Sequence, residues 1–125
     1  MFDHVSIDVR DFKEAKTFYT NILAPFGISV LVEKSDSCGF GKDRPFFWVG
    51  VSDSNYTISK HVHLAFWAEN KEQVKTFYQT ALAMGAKDNG APDYRTLYNA
   101  GYYAAFVFDL DGNNIEAVYR DKKRR

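Results

Sequence analysis

The sequence predicts an α+β fold built from two copies of one strand–helix–strands module. The stretch Lys-Thr-Phe-Tyr at 16–19 returns at 75–78, and the offset of 59 residues continues without a gap on both sides. His4 maps onto His63 at the same offset. Each copy alternates in polarity at its start and then turns amphipathic, which is the pattern of a strand followed by a helix. The predicted modules cover about 1–58 and about 59–121, with a basic tail at 122–125.

The first module begins with a strand over 2–9, in which odd and even positions differ in character. The odd positions are apolar and are predicted to face a helix, which leaves His4 and Asp8 on the opposite face. The helix starts at Asp11, where a Glu three residues later completes a pattern resembling a capping box, and it ends at Gly27. Strands are then predicted over 28–34, 37–41 and 45–52.

The second module repeats this order. Its first strand, over 61–68, places His63 and Trp67 on the face away from the helix. The helix starts at Asn70, with a Gln three residues later, and ends at Gly85. Strands are predicted over 86–88, 102–109 and 114–120.

Three residues with metal-ligand chemistry are predicted on the uncovered side of the sheet. Alternation in the last strand turns Glu116 the same way as His63, and the repeat makes His4 the equivalent of that histidine. Two imidazole nitrogens and one carboxylate suit zinc with an open position, or iron(II) in a facial triad. Each residue also has a simpler interpretation, since a strand histidine is often a hydrogen-bonded filler and a strand glutamate is often solvated.

Four segments carry a resemblance to a known family. They are Asp3-His4-Val5-Ser6-Ile7, the two Lys-Thr-Phe-Tyr helices, His63-Leu64-Ala65-Phe66, and Asp109-Leu110-Asp111-Gly112-Asn113-Asn114-Ile115-Glu116. In this order they resemble the vicinal oxygen chelate superfamily, which includes glyoxalases, bleomycin resistance proteins and extradiol dioxygenases. The resemblance covers nearly the whole chain and implies two βαβββ modules forming a U-shaped, mostly antiparallel eight-stranded sheet with the helices outside.

The resemblance also implies a divalent metal (zinc, iron(II), nickel or manganese) held by His4, His63 and Glu116. A fourth family ligand would come from the strand around 46–50, where no side chain can coordinate an ion. This departure argues against a glyoxalase I or epimerase site with four protein ligands. Three ligands are closer to the dioxygenase arrangement.

Aromatic side chains are expected to line the cleft and to favour a flat or apolar small molecule. Core packing is the alternative for these side chains, at Phe46 and Tyr103 above all. Asp8 and Tyr102 are the candidates for a general base. The predicted substrate-binding residues are Phe46, Trp48, Trp67, Tyr102 and Tyr103.

Three functions stay open at this point. The first is a metal-dependent lyase, isomerase or dioxygenase acting on a small substrate bound through neighbouring oxygens. The second is a metal-free protein that sequesters an aromatic or drug-like ligand, as bleomycin-binding relatives do, and Trp48 in place of a ligand favours it. The third is a domain whose main role is dimerisation.

Composition limits the partners. The formal net charge is zero, so nucleic acid is not an expected partner, and no apolar run is long enough for a membrane span. Cys38 is the single cysteine, which suits a reducing cytoplasm because no intrachain disulfide can form. By analogy with the family, the chain is expected to form a homodimer and to bind a small-molecule substrate.

Overall fold

The computed structural model describes residues 1–51 and 58–124 and divides the chain into two compact units. Unit one is Met1–Lys60 and unit two is His61–Arg125. The elements of unit one are β1 (Val5–Asp8), α1 (Phe12–Leu23), a 3₁₀ turn (Ala24–Phe26), β2 (Ser29–Glu33), β3 (Ser37–Gly41) and β4 (Pro45–Gly50).

The strands of unit one form a four-stranded mixed sheet in the order β1-β4-β3-β2. β1 runs parallel to β4, and the other two pairings are antiparallel. Asp11 begins α1 by accepting a hydrogen bond from the amide of Glu14 at 3.0 Å. The apolar stripe of α1 lies in the core, where the Tyr19 ring packs edge-on against Phe47 with a centroid distance of 5.1 Å.

Unit two repeats the arrangement with a sheet in the order β5-β8-β7-β6. β5 is parallel to β8, and the remaining pairings are antiparallel. The helix begins at Asn70, whose side chain accepts from the amide of Gln73 at 2.9 Å. Its elements are β5 (His63–Trp67), α2 (Lys71–Ala83), β6 (Lys87–Tyr94), β7 (Tyr102–Phe108) and β8 (Asn114–Arg120).

The predicted α+β class and the βαβββ order of each module are confirmed. In both units one sheet face carries the helix-directed apolar residues, and we call the opposite one the open face. The predicted alternation of the first strands is also confirmed, since Ile7 and Phe66 are buried while Ser6 and Ala65 are exposed. Neither helix in the described ranges has the length and apolar character needed to cross a bilayer.

Two details of the prediction are wrong. The first is the sixth strand, expected over 86–88, which spans Lys87–Tyr94. Two register irregularities around Gly90 interrupt the alternation that would have indicated its length. The second is the fourth strand, expected over 45–52, which ends at Gly50 and leaves Val51 45% exposed. The basic tail follows β8, and its Arg124 is exposed, with the guanidinium 3.6 Å from the centre of the Tyr94 ring. Residue 52 of the predicted strand and Arg125 of the tail lie outside the described residues.

Candidate functional site

A buried carboxylate is the centre of the open face of unit two. Glu116 is only 1% exposed, and its Oε1 lies 2.8 Å from Nε2 of His63. Its second oxygen accepts a short hydrogen bond from the hydroxyl of Tyr102. β8 lies between β5 and β7, so a residue in its middle is reached by side chains from both neighbouring strands. The sequence therefore places a histidine and a tyrosine on either side of one carboxylate.

The Tyr102 hydroxyl is a hydrogen-bond donor in this cluster. Burial, and after it the hydrogen bond to the Glu116 carboxylate, raise the pKa of Tyr102 to about 12. The Arg120 guanidinium, 4.6 Å from the centre of the Tyr102 ring, lowers the same pKa by a smaller amount. Near neutral pH the phenol keeps its proton and holds Glu116 in one orientation.

Two further residues border this cluster, and sequence reasoning missed both. Phe106 pairs directly with Glu116 across the β7–β8 ladder, and its ring centre lies 6.2 Å from that of His63. The Arg95 guanidinium lies over the same Phe106 ring, 5.3 Å from its centre. Alternation from Tyr102 along β7 would have indicated Phe106, but Arg95 follows an irregular strand and gave no signal.

Unit one presents His4 on its own open face. Its Nδ1 is 2.8 Å from a carboxylate oxygen of Asp3, and the Arg44 guanidinium lies 3.5 Å from the other oxygen. The hydrogen bond to His4 and the charge of Arg44 together lower the pKa of Asp3. An imidazole bonded through Nδ1 presents Nε2 for coordination, so His4 has the second-sphere partner that metal-binding histidines usually have.

Trp48 occupies the position of unit one that corresponds to Glu116. Trp48 pairs with Ser6 in the β1–β4 ladder, just as Glu116 pairs with Ala65, the residue 59 positions after Ser6. The indole lies against Gly39, where an added Cβ would be 2.9 Å from the ring. The sequence expectation of an aromatic residue where a ligand would stand is therefore supported by the strand register.

Two depressions border His4 in unit one. One has a volume of about 380 Å³ and is lined by His4, Asp8 and Trp48 among others. The second, of about 510 Å³, is lined by His4 and Phe46 together with residues of the N-terminus. The predicted site residues of this module thus lie around one histidine, with Asp8 on the same side as Trp48.

One predicted cleft residue lies on the wrong face. Tyr103 is 6% exposed and on the helix side, where its ring packs 5.0 Å from that of Tyr94. Consecutive strand residues point to opposite faces, so Tyr102 and Tyr103 cannot both line the open face. Trp67 does lie on the open face of unit two and is 65% exposed.

The predicted metal ligands are divided between the units. His63 and Glu116 are in contact in unit two, and His4 belongs to unit one. Within residues 1–51 and 58–124, neither unit by itself gathers three His, Cys, Asp or Glu side chains that could hold an ion. The three-ligand set stays a prediction.

Comparisons with known proteins agree on one family. The family model described as Glyoxalase/Bleomycin resistance protein/Dioxygenase superfamily matches residues 1–117. A glyoxalase/bleomycin resistance protein from Albidiferax ferrireducens T118 is similar in structure, with a TM-score of 0.84 and 28% identity over 96% of this chain and 99% of its own. No curated protein matches the chain significantly.

More distant structures share the fold. Lactoylglutathione lyase from Agrobacterium tumefaciens has a TM-score of 0.67 and 17% identity, covering 95% of this chain and 92% of its own. TioX from Micromonospora sp. ML1 has a TM-score of 0.70 and 16% identity, covering 96% of this chain and 98% of its own.

Proposed function

Because the chain belongs to the glyoxalase/bleomycin resistance protein/dioxygenase superfamily, we propose that it is a metal-dependent enzyme acting on a small, oxygen-bearing substrate. The reaction class is that of a lyase, isomerase or dioxygenase whose substrate binds the metal through neighbouring oxygens. His63 and Glu116 supply two ligands, and His4 supplies the third.

The contact between His63 and Glu116 carries this proposal. An imidazole nitrogen and a carboxylate oxygen 2.8 Å apart form a donor pair that suits zinc, iron(II), nickel or manganese. Glu116 is 1% exposed and is oriented by Tyr102, so the fold already orders this ligand before any ion binds. A buried carboxylate held in this way is expensive to keep for structure alone.

Each residue has a distinct role in the proposed site. A divalent metal bound there would polarise a substrate oxygen and stabilise the negative charge that develops on it. Tyr102 holds its proton at neutral pH and fixes Glu116, which makes it a positioning residue and not a base. Asp8, in the depression shared by His4 and Trp48, remains the candidate general base.

Metal content tests the proposal directly. The protein purified without chelator should contain about one equivalent of divalent metal by mass spectrometry, and His4→Ala and Glu116→Ala should both lose it. His61→Asn is the matched control, because this histidine has a left-handed backbone (φ 61°) that asparagine tolerates and lies outside the proposed ligand set. If the parent takes up no zinc, iron(II), nickel or manganese on titration, the proposal of a metal-dependent enzyme is wrong.

A metal-free binding protein is the second candidate, and Trp48 favours it. The indole stands at the position equivalent to Glu116 and borders a depression of about 380 Å³. Such a wall suits stacking on a flat ligand. A tight aromatic ligand that quenches tryptophan fluorescence equally with and without a chelator would support this candidate.

We also propose a cytoplasmic homodimer. The single cysteine, Cys38, is fully buried as a free thiol. A chain that forms no intrachain disulfide suits a reducing compartment. Dimerisation rests on analogy with the family alone. Sedimentation velocity at micromolar concentration would test it, and a monomer near 14.3 kDa would contradict it.

A further inference from the structure

Arg95 provides a fixed positive charge on the open face of unit two. It follows β6, and its amide donates to the carbonyl of Tyr102 at 2.6 Å, which makes the two residues neighbours on the same face. Its guanidinium lies 5.3 Å from the centre of the Phe106 ring. That ring also contacts His63, so the cation is one side chain away from the His63–Glu116 pair.

The backbone holds this guanidinium in place. Nη2 donates a short hydrogen bond to the carbonyl of Ala91 and another, at 3.4 Å, to that of Ala104. Gly90 leaves the necessary space, because a Cβ there would lie 3.1 Å from both Nη2 and the Phe106 ring. Its φ of 147° also favours glycine. The irregular part of β6, which made Arg95 unpredictable from the sequence pattern, thus holds the guanidinium in place.

The charge of Arg95 has no carboxylate partner in the described part of the chain. The ion pairs found there involve other residues, and Nε of Arg95 is buried without an acceptor. A buried, unpaired guanidinium nitrogen is unusual, since buried polar groups almost always find a partner. Two carbonyls fix the group while leaving its full positive charge uncompensated, which is an arrangement suited to an external anion.

Building on the proposed function, we infer that Arg95 binds a carboxylate of the substrate. The substrate class is then a small organic acid, with its neighbouring oxygens directed at the metal that His63 and Glu116 would hold and its carboxylate directed at Arg95. Phe106 separates the two subsites and offers its face to the carbon skeleton between them. Arg95 is therefore a specificity-determining residue for substrates that carry this charge.

A matched pair of probes tests the inference. Catechol and 3,4-dihydroxybenzoate share the neighbouring oxygens and differ by one carboxylate, and calorimetry gives their affinities at pH 7.5. The parent should bind the benzoate about tenfold more tightly, as expected for one charge-assisted contact. Arg95→Met should abolish this preference while leaving the catechol affinity unchanged, and Arg95→Lys should keep part of it.

Arg124→Met is the control, because it removes one ring-stacked cation from the helix side of the same unit. It should leave the preference intact. A parent that does not distinguish the probes would overturn the inference, as would Arg95→Met and Arg124→Met variants with equal effects. If Arg95→Met does not fold, Arg95→Lys decides the question, because a carboxylate preference unchanged from that of the parent would overturn the inference.

Repeating the titrations after chelator treatment separates this inference from the proposed function. A carboxylate preference that depends on Arg95 but persists without metal would support the anion subsite and count against the metal site. Metal-dependent binding of both probes with no preference between them would do the reverse.

Discussion

The open faces of the two units differ although their backbones repeat each other. In unit two the middle of the central strand carries Glu116, buried and bonded to His63 and Tyr102. In unit one the same ladder position carries Trp48, which lies against Gly39. One half of the duplicated scaffold thus has a preorganised carboxylate, and the other has an aromatic wall.

This difference shows how a duplicated scaffold can divide two tasks between its halves. A buried carboxylate requires donors from both neighbouring strands, and unit two supplies them. An indole requires a flat and uncrowded floor, and unit one supplies a glycine in the facing strand. The histidine remains in both halves, since His4 and His63 occupy equivalent positions. The two histidines differ in their partners, which are Asp3 for His4 and Glu116 for His63.

The largest expected effect is on metal affinity, from placing a carboxylate at position 48. Trp48→Glu would place a carboxylate two residues along the ladder from the position of His4, as Glu116 stands to His63. We expect metal affinity to rise about tenfold or more, because a charged oxygen ligand replaces a ring. Competition against a chromophoric chelator measures it.

Trp48→Gln is the control for this change, because the amide has the same shape without the charge. If the two variants bind metal equally, the gain comes from removing the ring. The two open faces would then not be equivalent in the way the ladder register indicates.

Crowding the floor under Trp48 is the next test. Gly39→Ala would bring a methyl group 2.9 Å from both the indole and the Cβ of Pro45. Overpacking of this kind costs about 1–3 kcal/mol, and urea unfolding should show it together with a shift in tryptophan emission. The cost should fall in a Trp48→Ala background. An unchanged cost there would assign the crowding to Pro45 alone.

The extent to which these faces could be predicted depended on strand regularity. The 59-residue offset and the period of two are local signals, and they placed His63 and Glu116 on one face before any coordinates. β7 is apolar at both parities, so its sequence could not show which of Tyr102 and Tyr103 lies on the open face. The face on which Arg95 lies could not be predicted, because the irregular register of β6 interrupts the alternation that would assign it.

The smallest expected effect concerns the hydroxyl that orients Glu116. Tyr102→Phe removes one of two donors to the carboxylate and should lower the free energy of unfolding by about 1 kcal/mol at pH 7. The phenol pKa is about 12 in the folded protein and roughly 10 in an unfolded chain, so the protonated form is favoured by folding. Its contribution is therefore complete below pH 10 and disappears as the pH rises to about 12.

Urea unfolding of parent and Tyr102→Phe at several pH values measures this contribution. The difference between them should be constant up to about pH 10 and should shrink above it. Tyr94→Phe is a useful control, because its hydroxyl donates to Asp121 at 2.7 Å in the same unit and on the opposite face. A Tyr102→Phe variant as stable as the parent at pH 7 would contradict this prediction. The orientation of the Glu116 carboxylate would then depend on His63 and not on the tyrosine, which would bring the two open faces closer in character.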